Sequence, residues 1–523
     1  MPGLIGQHLP TGFVPNPPLG SSTLLFDNTG VLSIKRNDGS VETVGGSGSV
    51  SIDSNQISFG SPSGLTSSQY FTIDSNDGYL VFGYNSTISG GSTGSVILGG
   101  ANHLIATQSQ YSAIIGGICN SIVDNYFSPA SAPSLSAIIG GGFNSIYLDS
   151  AGSIISGGAC NKIYCYSTLS LISNGLCNSI SYYGSGSSII GGQSNKVFGS
   201  YRSSIIGGDC NLVDTSSCSS ILGGCCNELS YYSENSSIIG GACNQICASG
   251  VNDGVVILGG CCNEIKGTSP SYSSIIGGIC NSVYDYSSSS ILGGEGNIVC
   301  SGASSIISGG YNEICRSPLS TILGGLTNSI IDNNFAYYNI CSSSSILGGV
   351  SNTIRNGSAL STILGGLYNC ISNYSLASSI IGGQHNTIEV ISNNSSIISG
   401  ERNLINYGSE HASIIGGYCN MITYASDWST IVGGSYNTID NSCSSSIIGG
   451  LGSTMSNSDC SVILGGVNLQ LINQSNTVLT PNLWISGSMS PDNGSNFGQT
   501  QDVFVSGFGT FSFINGVFTG LIV

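Results

Sequence analysis

Apolar and polar positions along this chain follow a single phase rule. Between Ser95 and Leu471 the pattern Ser-Ser-Ile-Ile-Gly-Gly-x-x-Asn-x-Ile returns about every 17 residues. With the Asn as anchor, 22 copies register, from His103, Asn120 and Asn144 through Asn420, Asn437, Ser453 and Leu469, and 19 of them carry Asn. Two residues beyond the anchor every copy has Ile, Val, Leu or Met, which marks a core position. The apolar runs are short and β-branched, and Gly-Gly interrupts them, so each copy is predicted to be a strand, a Gly-Gly turn, a second strand and a variable return loop. A supersecondary unit repeated at a fixed period stacks on itself. The expected fold is therefore all-β, a parallel β-solenoid (β-roll) of about 22 coils, with small β-rich end pieces.

Individual phases make sharper claims. Gly-Gly is required where φ must be positive, or where stacked coils leave no room for a Cβ. Ser308 and Ser399 stand in the first Gly position, which is read as a packing limit there and not a strictly left-handed one. The Asn phase is read as an amide ladder, each side chain donating to a carbonyl of the next rung, with Asn120, Asn211, Asn244, Asn369 and Asn420 as representatives. In the paired Ile-Ile before Gly-Gly, as in Ile205-Ile206, successive residues point to opposite faces, so one column enters the core and the other points outward. At ~4.8 Å per coil the outward column makes a stripe on the order of 100 Å long, which calls for a partner. Three identical chains around a common axis would bury it, so a homotrimer is expected.

The repeat Ser-Ser-Ile-Ile-Gly-Gly-x-x-Asn-x-Ile resembles the left-handed parallel β-roll repeats in head domains of trimeric autotransporter adhesins, and the Gly-Gly-x-x-Asn repeats of virion fibre proteins of phages and large viruses. The resemblance spans Ser95 to Leu471 and implies a trimeric, adhesive fibre. The coil here is longer, and neither a heptad stalk nor a membrane-anchor barrel pattern follows it, which favours a fibre assembled inside a host cell.

The parts that break the period set the domain expectations. Residues 1–20 are Pro- and Gly-rich and read as an extended arm. Residues 21–93 read as a β-rich attachment region of short strands with turn pairs such as Asp27-Asn28-Thr29-Gly30, Asn37-Asp38-Gly39 and Asn76-Asp77-Gly78. The shaft is 94–471. Residues 472–523 read as a C-terminal cap and trimerisation region, with Trp484 and a hairpin across Thr510 to Phe518 as its signals. Two steps of 24 residues carry insertions of similar sequence, and these supply the candidate contact loops: Asp124, Asn125, Tyr126 and Phe127 in one, Asp332, Asn333, Asn334, Phe335, Tyr337 and Tyr338 in the other. Tyr recurs in the return loops, as at Tyr182-Tyr183 and Tyr231-Tyr232, where rings suit either sugar stacking or shielding of the loop base.

Composition narrows the function. A formal charge of −17 opposes binding to nucleic acid or anionic lipid, and the nine Lys and Arg are scattered singly with no patch. No apolar stretch is long enough to span a bilayer and no Sec-type signal is seen, so the expected location is the virion or the extracellular space, without membrane insertion. Nine of the 20 cysteines directly precede the anchor, namely Cys119, Cys160, Cys177, Cys210, Cys226, Cys243, Cys262, Cys280 and Cys419. Rung-to-rung disulfides are geometrically possible; a ladder of reduced thiols packed as small apolar groups is the favoured reading. There is no CxxC pair, HExxH, P-loop lysine or nucleophile elbow, and Asp74-Ser75-Asn76-Asp77-Gly78 reads as a hairpin turn. Asp209, Glu228 and Glu264 lie in different coils and are read as unpaired in phase. No catalytic, metal or cofactor residues are expected. The sequence thus points to a structural fibre subunit with an adhesive or receptor-binding role, a virion or tail-fibre component anchored through its N-terminus, whose partners are its own copies and a cell-surface glycan or receptor. A bacterial surface adhesin or extracellular filament is the alternative, and a β-solenoid polysaccharide-degrading enzyme the second.

Overall fold

In the computed structural model the described residues are 22–26, 32–36, 41–43, 71–74, 78–123, 135–248, 254–268, 270–284, 288–333, 341–481, 501–505, 509–514 and 517–522. They are all β, and the repeats form a parallel β-solenoid of about 22 turns. The chain divides into two compact units, Met1–Val213 and Asp214–Val523.

Each unit contains the same two parallel sheets. One is built from the Ser-Ile-Ile strands, pairing Val96 with Ala113 and Ser188 with Ser204 in the first unit, and Ser220 with Ser237 and Ser446 with Val462 in the second. The other is built from the strands after the anchor, pairing Ser121 with Ser145 and Ser179 with Lys196 in the first unit, and Glu228 with Gln245 and Thr454 with Gln470 in the second. The residue after Gly-Gly adds a third column of single parallel bridges, such as Ala101 to Ile118 and Leu367 to Gln384. A return loop wraps each turn into the next. Since one residue of slip would exchange inside for outside, the fixed phase of Ile holds the register.

Five inward columns fill the turn. Both Ile columns are fully buried, for example Ile380 and Ile388. The other three are polar: the anchor Asn and two serines, eight and eleven residues before it, as Ser395 and Ser392 precede Asn403. Burying so many polar groups is tolerable because nearly every turn presents the complementary partner, with Ser453 Oγ and His103 Nε2 at the anchor phase as exceptions. The Asn386 N–H donates to Asn369 Oδ1 at 3.0 Å, and its own Nδ2 donates to the Gly400 carbonyl of the following turn at 2.9 Å. Ser378 repeats the logic, its N–H donating to Ser361 Oγ at 3.2 Å and its hydroxyl to the Ser392 carbonyl at 2.9 Å.

The double glycine works differently from the expectation. At the first position most turns have positive φ with nothing near an added Cβ, as at Gly433, and Ser399 and Asn174 stand in that position at +64° and +61°. Sterics between turns therefore do not limit it. The second position is the limited one: Gly434 has φ +78°, and a Cβ there would fall on Asn437 Nδ2 and the Gly450 carbonyl. The close approach is what allows the Asn amide to reach the next turn.

The parallel pairing runs further than 94–471. Tyr79–Tyr84 pairs in parallel with Val96–Ala101, and Val478 pairs with Val462. Val81, Ile88 and Leu479 keep the core phase there although the Gly-Gly-x-x-Asn signature is missing. Phe71–Asp74 pairs antiparallel with Tyr79–Tyr84, and Ser75, Asn76 and Asp77 of the expected turn lie outside the described residues. Three short antiparallel strands, Ser22–Phe26, Leu32–Arg36 and Val41–Thr43, flank the expected turn pairs. Three more form a C-terminal sheet, in which Gly509–Ile514 and Val517–Ile522 make the expected hairpin. The arm at 1–20 and Trp484 lie outside the described residues.

Candidate functional site

Inward columns serve the fold, so recognition must use the outward positions. On the Ser-Ile-Ile strands the residues either side of the core Ile face outward. The one before is small, Ser, Thr or Ala in most turns, and the one after is Ile or Leu. In the second unit this aliphatic column is unbroken, from Leu222 and Ile239 through Ile398, 39 % exposed, to Ile448, 47 % exposed, and Leu464. In the first unit Leu98, Ile115, Ile139, Ile190 and Ile206 are exposed to a similar extent, and Ser156 and Ser173 interrupt the column. The result is an aliphatic ridge beside a groove of small residues.

The outer face of the second sheet is mixed. Down one column it carries Glu228, Gln245, Glu264 and Ser282, and elsewhere Lys162, Lys196, Thr353, Thr387 and Leu404. Glu228 and Glu264 share this column two turns apart, which corrects the reading that they are out of phase. Glu264 is held by Lys266 at 2.9 Å, and that ammonium lies 4.7 Å from the Tyr284 ring centre. No second carboxylate stands within a turn of it in this column, so the arrangement offers no close acid and base pair.

Stacking also gathers charges that the sequence scatters. Arg355, Cys370, His385, Thr387, Glu389 and Arg402 line a shallow hollow of about 430 Å³ in the second unit. Arg402 contacts Glu401 at 3.2 Å and donates to the Tyr418 hydroxyl at 2.9 Å. Arg355 and Arg402, 47 residues apart in sequence and three turns apart in the stack, line one hollow together with His385 and Glu389.

Aromatic side chains stack on the second sheet and along the return loops. Tyr147 on Tyr164, Tyr166 on Tyr183 and Tyr407 on Tyr424 have centroid separations of 5.0, 5.2 and 4.9 Å, and His411 lies 4.0 Å from Trp428. A ring that faces its neighbour has one side occupied, so sugar stacking is restricted to the ends of such ladders and to exposed edges.

Of the candidate contact loops, Asp124, Asn125, Tyr126, Phe127, Asn334, Phe335, Tyr337 and Tyr338 lie outside the described residues. Asn333 is exposed, whereas Asp332 is buried and its N–H donates to the Cys315 carbonyl at 3.2 Å, a structural placement that removes it from the contact surface. The insertions leave the stack in register: Asn144 and Asn352 still donate to Asn120 Oδ1 and Asn328 Oδ1, each at 3.0 Å. The ladder representatives Asn120, Asn211, Asn244, Asn369 and Asn420 are all buried. The serine columns, equally periodic in the sequence, carry the same function and went unread because Ser is also the commonest loop residue of this chain.

The cysteines before the anchor are not packed inside. All nine are exposed or half-buried, and their backbone is left-handed, with φ of 51° to 58°. The corner turns outward there, so the side chain leaves the core. One disulfide is present among the described residues, Cys300 to Cys315, at a different phase, with Cα atoms 4.6 Å apart on paired strands. Glu313 lies beside it, its carboxyl pushed up by burial, but both sulfurs are consumed in the bond and no metal set remains.

No family model and no curated protein matches the chain.

Proposed function

We propose that this chain is a structural fibre subunit that assembles as a homotrimer through the aliphatic ridge of the Ser-Ile-Ile sheet, and that it serves attachment as a virion or tail-fibre component. The observation that carries this reading is the unbroken outward aliphatic column of the second unit, Ile or Leu in every turn but that of Val432. An exposed apolar stripe of this regularity is costly on an isolated chain, and a rotationally symmetric assembly covers it turn by turn. The small residues beside the ridge give a partner's aliphatic side chains a groove to enter. Attachment then falls to the surfaces the assembly leaves open: the two insertions, the edges of the aromatic ladders, and the hollow lined by Arg355, Arg402 and Glu389, whose guanidinium groups can pair with an acidic group of a glycan.

A photo-crosslinking residue placed at Leu364 tests the interface against the same residue at Thr387 on the other sheet. Crosslinked trimer from position 364 and none from 387 is the expected result. Equal yields from both, or none from either, would refute it. Binding of the labelled chain to a panel of sulfated and carboxylated glycans, lost in Arg355→Ala with Arg402→Ala, tests the attachment role separately.

A further inference from the structure

One edge of the second unit concentrates sulfur in a way the repeat does not require. Cys226, Cys243, Cys262 and Cys280 occupy the corner position of four consecutive turns, and Cys225 and Cys261 occupy the bridge position beside two of them. Cys225 Sγ lies 3.3 Å from Cys226 Sγ, and Cys261 Sγ lies 3.2 Å from Cys262 Sγ. The turns are locked together at this edge, the Cys243 N–H donating to the Cys225 carbonyl and the Cys280 N–H to the Cys261 carbonyl, both at 2.9 Å. All four corner residues share φ of 55° to 57°, so their side chains leave the backbone in the same direction, one above another at ~4.8 Å. None of the six is buried.

We propose that these six cysteines form two three-thiolate sites for a soft, thiophilic monovalent metal ion of the Cu(I) class, Cys225, Cys226 and Cys243 holding one and Cys261, Cys262 and Cys280 the other. Thiolate is the ligand that selects Cu(I) over harder ions. With metal–sulfur bonds of ~2.3 Å, two sulfurs sharing an ion lie no more than ~4.6 Å apart. The vicinal pairs sit inside that limit, and the third sulfur of each set must move in from the corner of the next turn to share the ion. Three sulfurs fall short of the four ligands of a structural zinc site and suit the low coordination number of Cu(I). Binding is a proton exchange without electron transfer: each Cu–S bond forms as the S–H proton leaves to solvent. The sequence hides the site, since its ligands come from positions 17 to 19 apart and show no CxxC spacing.

The test is anaerobic titration of the reduced full-length chain with Cu(I) in competition with a chromophoric Cu(I) chelator. Replacing all six cysteines by Ser is expected to remove about two equivalents of retained copper, one per three-thiol set, and either triplet alone about one. Ser already occupies the same corner at Ser194 and Ser351, both with φ of 55°, so the variants keep the backbone. Cys119→Ser with Cys419→Ser, two corner cysteines whose adjoining turns have no cysteine at the corner, should leave the stoichiometry unchanged. X-ray absorption of the loaded chain should show sulfur-only coordination. Undiminished copper in the sixfold variant, an equal loss in the Cys119 and Cys419 control, or nitrogen and oxygen ligands on copper would each overturn the proposal.

Discussion

The two sheets of each unit have the same backbone, the same spacing and the same buried Ile column, yet their outer faces differ. Facing out from the Ser-Ile-Ile strands is an aliphatic ridge, broken by Ser156 and Ser173 in the first unit and continuous in the second. Facing out from the strands after the anchor is a mixture of Glu, Lys, Gln, Thr and Tyr. Because the second sheet folds with polar outer positions, solenoid geometry does not demand an aliphatic outer column. Under the proposed assembly, contact between copies is what keeps it on the first sheet. The comparison therefore separates what the fold needs from what association needs, and each prediction below acts on one side of it.

The largest effects should be equal on both sheets, because both inward columns are equally buried. Ile380→Ala and Ile388→Ala should each cost ~2–5 kcal/mol in chemical denaturation of the chain. A marked difference between them would mean that one sheet contributes far less to the core. Next, Asn386→Ala removes the acceptor of the Asn403 N–H and the donor to the Gly400 carbonyl at once. Leaving these buried groups unpaired should cost ~2–4 kcal/mol, and Asn386→Asp should not rescue it, since a carboxylate keeps the acceptor but lacks the amide N–H.

Smaller effects on stability should accompany outer substitutions. Leu364→Ser with Ile381→Ser on the ridge should change the denaturation of the dissociated chain little, within ~1 kcal/mol, as should Thr387→Ser on the other sheet. Only the ridge variant should weaken assembly. The smallest effect concerns His103, which stands at the anchor phase and accepts the Asn120 N–H on Nδ1 at 3.2 Å. Burial lowers its pKa from the ordinary 6.5. The folded chain thus favours neutral imidazole, so its contribution is intact above pH 6.5 and is lost as pH falls below that value toward the folded pKa. Thermal melts of the intact chain should show a slight loss over that range, and His103→Asn should abolish that part of the pH dependence.

Much of the fold was legible because identical turns impose identical environments. Ile114, Ile122 and their equivalents announce the core by never becoming polar, and the alternation around them announces the ridge. The anchor Asn was legible as a ladder, although its amide donates mainly to the glycine carbonyls of the next turn. Four features were not readable in one dimension. The corner cysteines looked like packing residues, whereas a left-handed backbone turns them out. The hollow shared by Arg355, His385, Glu389 and Arg402, and the shared column of Glu228 and Glu264, exist only once turns are stacked. The first and last turns, around Val81 and Leu479, keep the core phase without the Gly-Gly signature, so the repeat boundaries came out too narrow.

The central claim is that the aliphatic ridge is an interface between copies of this chain. Light scattering on the purified chain, with and without Leu347→Lys, Leu364→Lys and Ile381→Lys together, tests it most directly. The account predicts a mass of three times 53.2 kDa that falls to 53.2 kDa in the ridge variant and stays trimeric when lysines replace Thr353 and Thr387 on the other sheet. A mass of 53.2 kDa for the unaltered chain, or a trimer indifferent to lysines on the ridge, would contradict it.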